Sequence, residues 1–212
     1  MLFRSHAART QQLRHEVGRD ASLLMVSVSR LEHNKGYHVF ADVLAQAHQA
    51  GLLSADWRWV LVGDGKERHA LATQVAQLGI AANVTFAGRM SDSDLQNMYA
   101  ASDFFVHPTL YEGSSLVTLE AMIHQRPVLA SAAGGIPDKV FTGVNGILVP
   151  PDNREALLNG LRDMLAARAQ WATWGAAGAA IVRSQFDWPV VAQRTLYAYH
   201  HPLQAQIGRA HV

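Results

Sequence analysis

The chain contains 212 residues, of which 49% are apolar and 17% are charged, and its 18 basic and 17 acidic side chains leave a net charge of +1. This composition is typical of a globular protein with a sizeable core, in one large domain or two small ones. The near-zero charge argues against a nucleic-acid-binding protein, which uses clustered Lys and Arg to neutralise phosphates. The absence of cysteine excludes disulfides, thiolate metal sites and cysteine nucleophiles.

The first 20 residues mix Arg, His and Gln with single apolar residues and lack the apolar core of a signal peptide. No stretch of the sequence approaches the roughly 20 apolar residues that a membrane span needs. The 11 histidines are scattered, without the spacing of a metal site. We therefore expect a cytoplasmic setting and no bound metal.

From Leu23 onward, short apolar runs alternate with longer segments of helical period. They predict six strands, over Leu23–Ser29, Trp57–Gly63, Val84–Ala87, Asp103–His107, Val128–Ser131 and Ile147–Val149. Such alternation is typical of repeated βαβ units, so the pattern predicts an α/β fold with a doubly wound parallel sheet and helices on both faces.

Helix-end signals agree with this fold. Ser91 is a predicted N-cap, and Gly51 and Gly79 stand where helices end. Beyond Pro151 the strand signal stops, and three further helices are predicted, over 154–165, 169–182 and 189–200.

Ligands of parallel sheets bind at the carboxyl ends of the strands, which directs attention to the loops that follow them. In the first loop, Arg30 and Lys35 are suited to a diphosphate, although the two cations alone more often indicate a solvated basic loop. In the second loop, Gly63-Asp64-Gly65 is not the dinucleotide fingerprint and indicates a tight turn.

The fourth loop, 108–115, leads from a strand into a helix that begins near Ser114 or Ser115. The start of a helix offers unpaired N–H groups and a positive dipole end, which favour an anion. Glu112 precedes this helix and Glu120 lies within it. Spacing alone leaves Glu120 either as an exposed residue or as an acceptor for ligand hydroxyls.

The loop residues form an ordered set of motifs. They are Arg30-Leu31 with Lys35-Gly36, Leu61–Gly65, Val84–Gly88, Glu112–Met122, Pro127-Val128, Gly134–Asp138 and Gly146–Pro150. In this order they resemble the C-terminal, donor-binding domain of family 4 (group 1) glycosyltransferases, which have the GT-B fold. The resemblance covers about residues 22–200 and implies a Rossmann-like domain.

The resemblance implies a nucleotide-sugar donor as substrate, with no further cofactor and no metal, and transfer with retention of anomeric configuration. Arg30, Lys35 and Glu112 are the implied catalytic residues: the two cations bind the diphosphate and Glu112 lies near the transferred sugar. Glu120 is implied to accept hydrogen bonds from the ribose. The implied donor-binding residues are Gly63, Gly88, Met90, Gly113, Ser114, Ser115, Leu116, Val117 and Glu120.

Three positions depart from the family pattern. Ser114-Ser115 replaces the usual Phe-Gly, Gln125 replaces a glycine at a helix end, and Asp138 replaces a glutamate. The loss of the glycine in Ser114-Ser115 is expected to narrow the turn that faces the phosphates, although serine hydroxyls can donate hydrogen bonds there. Gln125 has to adopt a left-handed conformation less easily than glycine, unless the helix ends differently.

The resemblance also implies a partner domain, since these enzymes bind the acceptor with an N-terminal half that has no counterpart in this sequence. We therefore predict a connecting segment over 1–20, a Rossmann-like nucleotide-sugar-binding domain over 21–185 and a C-terminal helix and tail over 186–212. On this view the chain alone is inactive, and any contact with the inner face of a membrane is made by the other half. His107 is expected to support the site rather than to supply the missing catalytic group.

Two other functions remain open at the level of sequence. One is a non-catalytic nucleotide-sugar-binding or interaction module, which the serines at 114 and 115 and Gln125 favour. The other is a sugar-nucleotide epimerase of similar two-domain fold, which the Glu112 to Glu120 motif disfavours.

Overall fold

A computed structural model describes residues 2–54 and 56–201, and within them the chain forms six strands and eight α-helices. The strands are β1 (Leu23–Val28), β2 (Trp57–Val62), β3 (Val84–Gly88), β4 (Phe104–His107), β5 (Val128–Ser131) and β6 (Gly146–Val149). The α-helices are α1 (Leu2–Glu16), α2 (Tyr37–Gln49), α3 (Arg68–Gln77), α4 (Asp92–Ala101), α5 (Leu116–Ile123), α6 (Arg154–Ala166), α7 (Trp171–Ile181) and α8 (Trp188–His200). Met1 and residues 202–212, the last part of the predicted C-terminal helix and tail, lie outside the described residues.

The strands form one parallel sheet in the order β3-β2-β1-β4-β5-β6. Every residue of β1 and β2 is buried, because helices cover both faces of the sheet. One apolar cluster contains residues of α2, α6 and α7, and a second contains residues of α4 and α5. The predicted doubly wound, Rossmann-like α/β fold is confirmed, and this explains why the strands read as continuous apolar runs.

The predicted helix ends are also present. The Ser91 side chain accepts a hydrogen bond from the N–H of Asp94 at the start of α4, and Asn153 caps α6 in the same way through the N–H of Ala156. Gly51 and Gly79 follow α2 and α3 with φ of +67° and +75°, the left-handed conformation that ends a helix.

The N-terminal segment is helical, which its local sequence does not predict. Helix α1 lies against α4: Arg9 forms a two-point ion pair with Asp94, Thr10 donates to Asn97, and Leu13 is buried. These contacts join residues more than 80 positions apart, so no local pattern reveals them. The role of 1–20 as a connecting segment stays a prediction.

The C-terminal part differs from the prediction in one feature. The helix predicted over 169–182 occurs as a short 3-10 turn and α7, but it continues into a π-helical turn, Val182–Phe186, in which the predicted domain boundary at 185 falls. Helix α8 follows, with the N–H of Trp188 bound by Asp187. Among the described residues, no helix combines the length and the apolar character needed to cross a lipid bilayer.

Candidate functional site

The direction of winding of the sheet reverses between β1 and β4, which are neighbours although three helices and two strands separate them in sequence. A crevice forms where the chains leave the carboxyl ends of two such strands. A cavity of about 380 Å³ lies at this point. Its walls come from the loop after β1, the loop after β4 and the start of α5. It is lined by Ser29, Arg30, Lys35, His107, Glu112, Ser114, Ser115, Leu116 and Val117. Seven of these nine are residues that the sequence predicted for the site.

A second cavity, of about 270 Å³, adjoins the first and shares Ser29 and Arg30 with it. Its other lining residues are Val28, Val62, Gly63, Asp64, Arg89, Met90 and Leu95. Gly63 and Met90, both predicted for the site, are therefore in this second cavity. Gly88 accepts a hydrogen bond from the N–H of Gly63, which ties the ends of β2 and β3 together beside it.

Glycine at position 36 allows the first loop to reach the fourth. Gly36 has φ of +67°, and a Cβ there would overlap the carbonyl oxygen of Pro108. The carbonyl of Asn34 accepts hydrogen bonds from the N–H of Leu110 and the hydroxyl of Thr109, at 2.8 and 3.0 Å. Lys35 is thereby held against the loop that carries Glu112.

The loop after β5 supports the fourth loop from the other side. Gly134, with φ of +53°, lies so close to the carbonyl oxygen of Glu112 that a Cβ would overlap it. Next to it, the N–H of Gly135 donates to the carbonyl of Gly113 at 2.7 Å. Thus the motif Gly134-Gly135 fixes the backbone of the Glu112 turn.

The Glu112 carboxylate is the most heavily bound group of the first cavity. Its Oε2 accepts hydrogen bonds from His107 Nε2 at 2.9 Å and from Lys35 Nζ at 3.0 Å, and its Oε1 accepts from the N–H of Gly113 at 3.1 Å. The hydrogen bond from His107 and the charge of Lys35 lower the pKa of Glu112 from 4.5 to about 2. Glu112 is therefore ionised at any physiological pH.

Arg30 stands apart from this network. Its guanidinium is bound to Glu32 at 3.0 Å, and three quarters of its side chain is exposed at the junction of the two cavities. Lys35 in contrast is 14% exposed. The structure thus brings Lys35 and Glu112 into contact and leaves Arg30 as a more exposed cation at the rim.

The start of α5 faces the first cavity. Ser115 takes the N-cap position with φ of +47°, a conformation that a side chain disfavours, and its buried Oγ has no hydrogen-bonding partner among the described residues. The helix begins at Leu116, close to the predicted start, and its first N–H groups have no partners inside the helix. These donors are positioned to bind an anion in the cavity.

Lys139 braces this turn, and sequence reasoning missed it. Its buried ammonium donates to the carbonyl oxygens of Ser114 and Ser115 and lies 5.5 Å from the ring centre of Phe186. Burial lowers the pKa of Lys139. Because the ammonium occupies the carbonyl side of the turn, the opposite side is left with N–H donors. The only sequence signal was its position directly after the Gly134–Asp138 motif.

Glu120 lies deeper along α5 and lines neither cavity. Its Oε2 accepts a hydrogen bond of 2.8 Å from the hydroxyl of Tyr99, a fully buried residue of α4 whose pKa is raised by burial. Glu120 itself is half-buried. It is therefore neither free on an exposed helix face nor part of the Lys35 and Glu112 network, and its role as a ligand acceptor stays a prediction.

Gln125, the second departure from the family pattern, does adopt the left-handed conformation, with φ of +57°. It ends α5 as the usual glycine would, with a backbone strain of about 1–2 kcal/mol. The helix geometry is thus kept despite the substitution.

Comparisons with known proteins identify relatives of this chain. Residues 9–180 match the family model described as glycosyl transferases group 1. The chain is 31% identical to α-D-kanosaminyltransferase from Streptomyces kanamyceticus over 144 residues, which are 68% of this chain and 36% of that protein. It is 30% identical to α-maltose-1-phosphate synthase from Mycobacterium tuberculosis, with 91% of this chain and 51% of that protein covered. Overall, the chain spans about half the length or less of the curated relatives that it matches.

A solved structure of HepE from Anabaena in complex with UDP has the same fold. The TM-score is 0.80 at 29% identity, and the match covers 91% of this chain and 52% of that one.

Proposed function

Because the chain belongs to the group 1 glycosyl transferases, we propose that it is the donor-binding half of a retaining glycosyltransferase, which moves a sugar from a nucleoside diphosphate to an acceptor. The observation that carries this proposal is one cavity that unites Lys35, Glu112 and the first turn of α5. The cation and the helix start suit the two phosphates of such a donor. The carboxylate suits the sugar that is attached to them.

The diphosphate binds between Lys35, Arg30 and the N–H groups at the start of α5. The cations and the helix dipole stabilise the negative charge that develops on the diphosphate as the bond to the sugar breaks. The exposed position of Arg30 lets it close over the phosphates from the rim. The complex of HepE with UDP supports a nucleoside diphosphate as the ligand class.

The nucleoside extends from the diphosphate toward the second cavity. Gly63 and Met90 line that cavity, and Gly88 belongs to the adjoining turn, so the base is met by backbone groups and by an apolar side chain. Glu120 accepts hydrogen bonds from the ribose hydroxyls once the donor is bound. Its contact with Tyr99 supports this role because it already fixes one of the two carboxylate oxygens.

Glu112 contacts the sugar to be transferred. Its carboxylate is held at the wall of the first cavity and is ionised, so it accepts hydrogen bonds from sugar hydroxyls and favours positive charge on the sugar ring as the bond breaks. In this proposal the residues of the chain stabilise the leaving diphosphate without a metal.

The acceptor binds to another domain, which in this proposal the whole enzyme places across the cleft from this one. The chain spans about half of its curated relatives, which leaves room for such a domain in the complete enzyme. Helix α8 exposes Trp188, Leu196 and Tyr199, at 81%, 59% and 77%, and we assign this surface to contact with the other domain. Turnover and any attachment to a membrane then require that domain.

Titration of the folded chain with UDP, GDP, ADP and their sugar conjugates tests the proposal. Isothermal calorimetry should detect binding of at least one nucleoside diphosphate. Lys35→Met should lower that affinity by about tenfold or more, because a charge-assisted contact is lost. Arg154→Met removes a surface cation that is paired with Asp42 and lines neither cavity, and it should leave binding unchanged. If circular dichroism shows a folded chain that binds none of the nucleotides, the proposal is wrong.

A second function is favoured by one observation. Ser115 stands where the family pattern has a glycine, and it takes a left-handed conformation in the wall of the first cavity. A non-catalytic module would tolerate this change. Joining the chain to an acceptor domain of a relative and measuring sugar transfer separates the two: transfer supports the enzyme, and donor binding without transfer supports the module.

A further inference from the structure

His107 is a completely buried histidine at the end of β4, next to the first cavity. Its backbone is fixed by pairing with Ala130 of β5, and its ring stacks on Phe105 at 5.9 Å. Such a ring has no freedom to swing into the cavity as a proton carrier. Its one polar contact to the site is the 2.9 Å hydrogen bond from Nε2 to Glu112.

The geometry fixes the proton of this imidazole. Nε2 faces a carboxylate oxygen and therefore carries the hydrogen, whereas Nδ1 is buried without a hydrogen-bonding partner among the described residues. A second proton on Nδ1 would be a buried charged donor without an acceptor. Burial accordingly lowers the pKa of His107, and the imidazole is neutral near pH 7.

Three donors hold Glu112 in the unliganded chain: Lys35, His107 and the N–H of Gly113. In the proposed function, Lys35 turns to the diphosphate when the donor binds. Its departure leaves Glu112 beside a diphosphate, and two negative groups at close range repel each other. His107 is then the only side chain of the three that still holds the carboxylate in place.

We propose that His107 is a positioning residue, which keeps the Glu112 carboxylate at the sugar end of the cavity when Lys35 is engaged by the diphosphate. This inference rests on the proposed function for its ligand and on the described contacts for its geometry. A neutral imidazole suits the task because it donates a hydrogen bond without adding a charge that the diphosphate would attract.

Four other polar groups face the pair from the surrounding elements. Lys35 comes from the 3-10 turn before α2, Lys139 from the segment after β5, Tyr37 from α2, and the N–H of Gly113 from the loop itself. Both lysines oppose protonation of His107. Of the two lysines, Lys35 is the one that contacts Glu112 directly. Replacement of His107 therefore removes a contact that none of these groups duplicates.

Three variants separate positioning from packing. In His107→Gln the side-chain amide reaches the place of Nε2 and donates to Glu112. In His107→Asn the amide is polar but too short to reach it. In His107→Leu the volume is filled without a donor. Comparison of Gln with Asn keeps the test valid if the leucine variant fails to fold.

Two measurements are made on each folded variant. The first is the titration midpoint of the Glu112 carboxyl by carbon-13 NMR, which needs no ligand. We expect it to rise by about one unit or more in His107→Asn and His107→Leu, and to stay low in His107→Gln. In the wild type, the nitrogen-15 shifts should report the Nε2–H form of His107 at pH 7.

The second measurement compares calorimetric affinities within the pairs UDP and UDP-glucose, GDP and GDP-mannose, and ADP and ADP-glucose. His107→Asn and His107→Leu should weaken the sugar conjugate by about five- to tenfold relative to its diphosphate, and His107→Gln should restore it. Equal Glu112 midpoints and equal sugar effects in all four proteins overturn the inference. If no nucleotide binds, the proposed function fails, while an unshifted carboxyl midpoint overturns the contact between His107 and Glu112 separately.

Discussion

The hydroxyl of Tyr99 donates a 2.8 Å hydrogen bond to Oε2 of Glu120, and this contact joins α4 to α5 beneath the candidate site. Tyr99 is fully buried, so its hydroxyl needs a partner inside the protein. The bond fixes the rotation of the carboxylate and assigns one of its oxygens to the protein. In the proposed function, the remaining oxygen is the acceptor for the ribose, and its orientation is set before the donor binds.

This relationship predicts unequal effects of two substitutions on nucleotide binding. Glu120→Ala should weaken the bound nucleoside diphosphate by about 1–3 kcal/mol, because the ribose hydroxyls lose a charged acceptor. Tyr99→Phe should cost about 1 kcal/mol or less, since the acceptor remains but is no longer oriented. Calorimetry with UDP, GDP and ADP measures both, and the exposed Glu155 of α6 supplies the control Glu155→Ala. Equal affinity in Glu120→Ala and the control would remove Glu120 from the binding site.

The ion pair between Lys35 and Glu112 predicts a gain in affinity from a loss of charge. The Lys35 ammonium lies 3.0 Å from Oε2 of Glu112, so in the proposed function Glu112 competes with the diphosphate for Lys35. Glu112→Gln should therefore bind the nucleoside diphosphate alone more tightly, by about 1 kcal/mol, and gain less from an attached sugar. The matched control is Asp42→Asn, which removes a carboxylate from the exposed ion pair with Arg154. Weaker binding of the diphosphate by Glu112→Gln would contradict the competition.

The low pKa of Glu112 predicts a pH dependence of stability. The hydrogen bond from His107 and then the charge of Lys35 depress the pKa from 4.5 to about 2 in the folded chain. A depressed pKa stabilises the fold fully above the unfolded value, and the contribution is lost as the pH falls from about 4.5 toward 2.

The corresponding measurement is the free energy of unfolding in urea, for the wild type and Glu112→Gln, between pH 6 and pH 3. We expect the wild type to be more stable by about 1–2 kcal/mol at pH 6, after allowance for solvent screening, and the difference to shrink toward pH 3. A glutamine at position 112 does not titrate, and the other carboxyl groups are the same in both proteins. Their contributions to the pH dependence therefore cancel in the comparison. A difference that is constant across this range would show that Glu112 is not the titrating group.

The sequence predicted the fold closely, because its signals are local. Each of the six strands ends within one residue of its predicted bounds, since buried strands read as short apolar runs between helices. Helix α1 escaped prediction because its partners, Asp94 and Asn97 of α4, are more than 80 residues away. Its local sequence carries little apolar surface to mark it as a helix.

The candidate site was predicted as a list of residues, and its contacts were not. Lys35 and Glu112 are 77 positions apart and meet only because β1 and β4 are neighbours in the sheet. Strand order is not encoded by apolar periodicity, so this ion pair could not be read from the sequence. The same reason hid Lys139 and the contact of Tyr99 with Glu120, while His107 was expected only as a supporting residue.

The conformation of Ser115 predicts a stabilising substitution. With φ of +47°, the backbone at Ser115 is strained. Its Oγ is also buried without a hydrogen-bonding partner among the described residues. Ser115→Gly should stabilise the chain by about 0.5–1 kcal/mol, because the relief of strain exceeds the entropy that glycine gains in the unfolded state. Ser114→Gly is the matched control, since Ser114 does not have a positive φ, and it should be neutral or destabilising. Equal urea midpoints for the two variants would contradict this account.

Two glycines with the same backbone conformation separate strain from collision. Gly36 and Gly51 both have φ of +67°, but a Cβ at Gly36 overlaps the carbonyl oxygen of Pro108, whereas a Cβ at Gly51 has no atom within 4 Å among the described residues. Gly51→Ala should cost only the left-handed strain, about 1–2 kcal/mol. Gly36→Ala should cost at least about 2 kcal/mol more or displace the first loop from the fourth.

Urea unfolding and nucleotide titration together test this difference. Displacement of the loop moves Lys35 out of its place in the wall of the first cavity, so Gly36→Ala should also weaken the binding of a nucleoside diphosphate by about tenfold or more. Gly51 lies at the end of α2, outside both cavities, so the Gly51→Ala variant should bind the nucleoside diphosphate as the wild type does. Equal costs of unfolding and equal affinities would mean that the close approach of Gly36 to Pro108 does not set the position of Lys35.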